Sequence, residues 1–169
     1  MVNCKEISSD EFSRKQANFN FVMGEKESNY PKYYEVNFID GYNSLLIGLI
    51  NNYPNMDLDP QVEAKDNRLV IGNNETITII DIQTKERKDF KVFPFFYKFL
   101  ILDDRIIVVS EIEIFCLLND EIVWETNDFE DVIDFVALEN NQLIVSTYQN
   151  TKEICINILT GEQEKNRKI

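Results

Sequence analysis

DNRLVIG (Asp66 to Gly72) returns as DDRIIVV at 103–109 and again as NNQLIVS at 140–146. Leu69, Ile106 and Leu143 stand 37 residues apart, the mark of a repeated supersecondary unit. The surroundings repeat as well. The first copy runs PQVEAKDN, RLVIGNN, ETITIIDIQTKE, RKDFKVF; the second FFYKFLILDD, RIIVVSE, IEIFCLLND, EIVWETN; the third DVIDFVALENN, QLIVSTYQ, KEICINILTG, EQEKNRKI. Each has an entering strand, an acidic or amide turn, a nearly all-apolar strand, a third strand closed by QTKE, LNDE or LTGE, and a fourth piece. The pattern predicts three four-stranded antiparallel meanders.

A run such as Ile106-Ile107-Val108-Val109 must be buried on both faces. A lone meander cannot do that, whereas meanders stacked face against face can. The repeats resemble the blades of WD40-like and quinoprotein-like β-propellers over roughly residues 61–169, on the apolar second strand, the turn after the third strand and the EIVWET stretch with Trp124. No Trp-Asp dipeptide occurs and Trp124 stands in one repeat, so the resemblance implies architecture and no ligand or activity. The expected fold is mostly β, three meanders (61–93, 95–127, 131–169) stacked as an open half-propeller. A β-sandwich of meanders is the competing arrangement.

Residues 1–60 are expected to form a small segment that packs on this array. Ser8-Ser9-Asp10-Glu11 has the form of a capping box for a short helix over 9–18. Tyr33 to Ile39, a turn at Asp40-Gly41-Tyr42-Asn43, and Ser44 to Ile50 read as a hairpin, and the Pro- and Asn-rich 51–60 as a loop. The aromatic stretch FKVFPFFYKF at 90–99 reads as packing between blades rather than as a groove for a peptide or for stacked bases.

The chain has 169 residues, of which 44% are hydrophobic and 28% charged, a composition able to bury a core. MVNCKEISSDEF has no signal-like apolar run and no transmembrane-length apolar run occurs, so the expectation is a cytoplasmic protein away from membranes. Histidine is absent, which removes the commonest general base and metal ligand. Cys4, Cys116 and Cys155 are odd in number and two lie in apolar runs, so they read as buried hydrophobes. Asp103-Asp104 corresponds to Asp66-Asn67 and Asn140-Asn141, a recurring turn and not a catalytic pair; Asp57-Leu58-Asp59 is too isolated for a calcium loop. No catalytic residue, cofactor or metal is expected, and a hydrolase working with carboxylates alone is the third reading.

The net charge of −13 argues against a nucleic-acid partner and for a basic protein. From Ile106 through Thr151, 46 residues hold no Lys or Arg and ten acids, so this stretch carries −10 of the −13. Blade geometry is expected to gather many of these acids on one surface. The partner-binding residues named on that basis are Glu111, Glu113, Asp120, Glu121, Trp124, Glu125, Asp128, Glu130, Asp131 and Asp134, with Trp124 as aromatic anchor if exposed. In size, acidity and lack of catalytic equipment the chain resembles the small acidic immunity proteins of bacterial toxin systems. That resemblance implies an inhibitor covering the active site of a basic nuclease toxin. The alternative is a scaffold subunit that completes a propeller with itself, as a homodimer, or with another chain.

Overall fold

β-Branched residues dominate the apolar runs, and in the computed structural model nearly all of those runs are strands. The structure describes residues 1–53, 58–126, 129, 131–148 and 153–165, the side chains of Phe135 and Lys165 excepted. Among the described residues there are four four-stranded sheets. Three are the meanders the repeat predicts: β5 (Gln61–Lys65), β6 (Arg68–Asn73), β7 (Thr76–Asp81) and β8 (Arg87–Lys91); β9 (Phe96–Leu102), β10 (Arg105–Ser110), β11 (Ile114–Leu118) and β12 (Glu121–Thr126); β13 (Ile133–Glu139), β14 (Gln142–Thr147), β15 (Ile154–Asn157) and β16 (Gln163–Lys165). Every neighbouring pair in them is antiparallel.

The turn between first and second strand is set by local chemistry. Asp66 and Asn67 sit at φ 50° and 65°, Asn140 and Asn141 at 47° and 64°, and Asp103 at 41°. Asp and Asn tolerate this left-handed region because their short polar side chains bond to nearby backbone. Repeats one and three also share the loop after their third strand. Asp81 Oδ1 accepts the N–H groups of Gln83 at 2.9 Å and Thr84 at 2.7 Å, and Asn157 Oδ1 accepts those of Leu159 at 2.9 Å and Thr160 at 3.3 Å. The second repeat replaces that loop with a two-residue turn, Asn119 and Asp120, both at positive φ (50° and 59°).

The fourth sheet lies N-terminal to the repeats. It consists of β1 (Val2–Ile7), β2 (Phe21–Met23), β3 (Lys32–Asp40) and β4 (Asn43–Asn51), ordered β1-β3-β4-β2, with β2 parallel to β4. The expected hairpin is its centre; β1 and β2 are additional, and a mixed strand such as VNCKEI and a three-residue strand carry little periodic signal. The helix α1 (Ser9–Lys15) is capped by Ser8, whose Oγ accepts the Glu11 N–H at 3.2 Å. It is shorter than expected, because Gln16–Asn18 tighten into a 3-10 turn. Glu11 also departs from the capping box and pairs forward with Lys15 at 2.7 Å. Phe12 packs at a tilt against Tyr33, with ring centres 4.9 Å apart, and against Phe19 at 5.2 Å, covering one face of this sheet. Gly48 allows that approach, since a Cβ there would meet both Phe rings within 2.8 Å.

The chain divides into two compact units, Met1–Lys91 and Val92–Ile169. In the first, Val36, Phe38, Leu45, Ile47 and Leu49 pack with Leu69, Ile71 and Ile80. In the second, Ile107, Val109, Ile114 and Cys116 pack with Leu143, Val145 and Ile156. Leu69, Val70, Ile106, Ile107, Val108, Leu143 and Ile144 are all buried, at matching places on β6, β10 and β14.

Candidate protein-binding surface

Strand direction decides where the acids go. β10 and β11 pair with Arg105 opposite Leu118 and Val109 opposite Ile114, so the turn at 111–113 closes one end of the sheet and the turn at 119–120 the other. β11 is five residues long, which separates the two turns by about 17 Å. Glu111 and Glu113 lie at the first end. There Ser110 Oγ accepts the N–H groups of Ile112 at 3.2 Å and Glu113 at 2.9 Å, fixing the turn. Asp131 joins this end, because the Ile133 N–H donates to Glu111 O at 2.7 Å. Asp120 and Glu121 stand at the opposite end.

The expected gathering on one surface is therefore only partial: three acids share an end, two share the other, Glu125 lies on β12 between them, and Asp134 is exposed on β13. Asp128 and Glu130 lie outside the described residues. Several of the acids also have structural work. Glu113 Oε1 accepts the Phe93 N–H at 2.8 Å, Asp131 Oδ1 accepts the Val132 N–H at 2.8 Å, and Asp120 sits in a left-handed turn. Among the described residues no cation pairs with Glu111, Glu121, Glu125 or Asp134.

Trp124 is not the anchor. It is 9% exposed, packs in the core of the second unit, and donates Nε1–H to Ile158 O at 3.0 Å. Its ring lies against Gly161, where a Cβ would come within 2.8 Å, so the indole is a packing element held by its hydrogen bond. The exposed aromatics lie elsewhere. Phe93 is 67% and Tyr148 79% exposed. Both belong to the Glu111 end, since the Tyr148 N–H donates to Val132 O at 2.9 Å and the Phe93 N–H reaches Glu113. The FKVFPFFYKF stretch thus splits: Phe96 and Phe99 are buried, 5.9 Å apart, while Phe93 and Tyr97 face solvent. The sequence pattern does not separate them, because Phe93 precedes β9 whereas Tyr97 lies within it, where the register shifts between Val109 and Ser110, which pair with Lys98 and Phe96.

β12 supplies the other exposed apolar residues. Ile122 and Val123 are 48% and 45% exposed between Glu121 and Glu125. The register shifts between Cys116 and Leu117, which pair with Trp124 and Ile122, so Val123 is the extra residue of a bulge. The bulge breaks the alternation of EIVWET, which is why the sequence does not show these two as exposed.

Nucleophiles are poorly equipped. Burial pushes the Cys4 thiol up to about 11, and burial also raises Cys116 although Arg105 opposes it. Among the described residues no three Asp, Glu, Cys or His side chains stand close enough to share a metal ion. No helix of the described residues is long and apolar enough to cross a membrane.

No family model and no curated protein matches the sequence. Solved structures do match the fold. The chain is similar to the computationally designed Ika4 protein, with 14% identity and a TM-score of 0.54, over 66% of this chain and 73% of that one. It is similar to the designed Ika8 protein, with 10% identity and a TM-score of 0.50, over 85% of this chain and 47% of that one. The WD40 domain of Neurospora crassa Pan2 matches at 18% identity and a TM-score of 0.49, over 64% of this chain and 36% of that one. At these identities the likeness bears on the fold alone: the sheets are propeller blades in form.

Proposed function

We propose that the chain is a non-enzymatic protein-binding module that engages a basic protein through the acidic surface of its second and third repeats. The reading is carried by one observation: ten acids without a single Lys or Arg over 106–151, on blades whose exposed aromatics, Phe93 and Tyr148, lie beside Glu111, Glu113 and Asp131. A focused negative field speeds encounter with a cationic surface, and exposed aromatics beside it supply the desolvated anchor that charge alone lacks. The blade-like fold suits a binding or scaffold role. The finer reading is an acidic inhibitor, in the manner of an immunity protein, that covers the active site of a nuclease-type toxin.

The test is capture by the tagged full-length protein at low salt, followed by assay of whatever is retained. The inhibitor reading expects a basic protein released by high salt, whose nuclease activity the purified chain suppresses at one-to-one stoichiometry. Retention of a basic protein with no activity to suppress favours the assembly-subunit reading, for which sheet edges that have no neighbouring strand among the described residues, such as β12, speak. Retention only of neutral or acidic proteins overturns both.

A further inference from the structure

We infer that the first unit binds a small aliphatic carboxylate in a polar cavity bordered by β2, β6, β7 and β8. The inference is independent of the basic-partner reading and concerns a ligand of the opposite charge. The cavity has a volume of about 50 Å³ and is partly open to solvent. One water needs about 10–15 Å³, so there is room for a carboxylate group with a short tail and for little more. Met23 and Ile71 give it apolar surface, while Asn73, Asn74, Thr76 and Arg87 bring polar groups. Here the first repeat departs from the second. Thr78 faces Ile71 across the ladder as Phe115 faces Val108, and Thr76 and Thr78 stand 37 residues before Glu113 and Phe115. Where β11 carries a buried phenylalanine two residues after an acid, β7 carries two hydroxyls.

The polar groups select the occupant. Arg87 holds Asp89 through Nε at 2.8 Å and Nη2 at 2.7 Å, and its Nη1 has no partner among the described residues. A guanidinium fixed along one edge keeps donors for a second planar acceptor. Asp89 is already satisfied, because Oδ1 also accepts the Thr78 hydroxyl at 2.7 Å and Oδ2 accepts from Nη2. Lys91 stands opposite Thr76 in the ladder and so on the same face, which sets two cations against one acid. Asn73 and Asn74 each give one carboxamide N–H to Ile50 O, at 3.0 and 2.8 Å, and keep another, so both are positioned before a ligand arrives. The Thr76 hydroxyl forms no side-chain bond among the described residues. Donors beside apolar surface match a carboxylate head with an alkyl tail, whereas a cation meets Arg87 and a neutral amide brings no charge to it.

The probes are acetate, propanoate and butanoate, titrated into the isotope-labelled full-length protein against chloride at matched ionic strength. The expected result is a saturable shift of the Gly24, Asn73, Asn74 and Thr76 amide signals, with a melting temperature that rises with ligand concentration. Arg87→Gln/Asp89→Asn removes both members of the ion pair and leaves no lone charge, and it should weaken binding by about tenfold or more. Thr76→Glu, which installs the acid of the second repeat, should abolish binding while the protein stays folded. Glu111→Gln, in the second unit, should leave it unchanged. No saturable shift, an equal response to acetamide or to chloride, or unchanged affinity in either cavity variant overturns the inference, and none of these outcomes bears on the basic-partner reading.

Discussion

Gly161 and Trp124 depend on each other. Gly161 holds φ 73°, a conformation costly for residues with a Cβ, and it is also the floor on which the Trp124 ring lies. Gly161→Ala should therefore destabilise by about 1–3 kcal/mol, from backbone strain and from displacement of the ring together, read as a lower denaturant midpoint with a shifted tryptophan emission. Trp124→Ala should cost about 3–5 kcal/mol of stability by leaving a cavity. Neither change should affect partner capture once stability is matched, because the indole is buried. Tyr148→Ala should show the reverse, leaving stability nearly unchanged and weakening capture. An aspartate offers a cleaner residue-level test. The Asp81 carboxyl is held below its ordinary 3.8, chiefly by the Thr84 N–H against the opposing effect of burial, with a further contribution from Gln83. A carboxyl lowered by folding adds stability that is present above the unfolded value and is lost as pH falls through the folded one. Asn157 performs the same turn in the third repeat without a charge. Asp81→Asn should accordingly leave the melting temperature near neutral pH almost unchanged and make its decline below about pH 4 shallower.

At the scale of elements the decisive position is Ile107, at the centre of β10 and fully buried between β9 and β11. Ile107→Asp should prevent folding, since burying an unpaired carboxylate costs several kcal/mol or more, a large part of a domain's stability. Loss of cooperative unfolding by circular dichroism would show it, and a stable, cooperatively folded variant would contradict the sheet assignment. These central strands were legible in the sequence because three kinds of signal agree there: consecutive β-branched residues, Asp/Asn pairs able to take positive φ, and the 37-residue spacing. Less was legible at the margins. β1 and β2 owe their pairing to β3 and β4, a non-local cause that local pattern does not carry. The same holds for the site. The acids could be named but not placed, because their distribution follows from strand direction. Ile122 and Val123 were hidden by a bulge, and Trp124 by a hydrogen bond to Ile158 O, 34 residues away.

For the whole molecule charge is decisive: 13 excess acids, most of them on one contiguous stretch, on a fold whose turns and edges present several of them unpaired. Long-range attraction of this kind acts on encounter more than on residence, and salt screens it beyond about 8 Å at physiological ionic strength. The most direct measurement is the association rate of the captured basic partner by stopped flow, at low and at high salt, for the natural chain and for Glu111→Gln/Glu121→Gln/Glu125→Gln/Asp134→Asn. The account predicts that the natural chain's association rate falls by about tenfold or more with salt, that the variant is slow at both concentrations, and that dissociation changes much less. Equal association rates for the two proteins at both salt concentrations would contradict it and leave these acids as a solubilising surface.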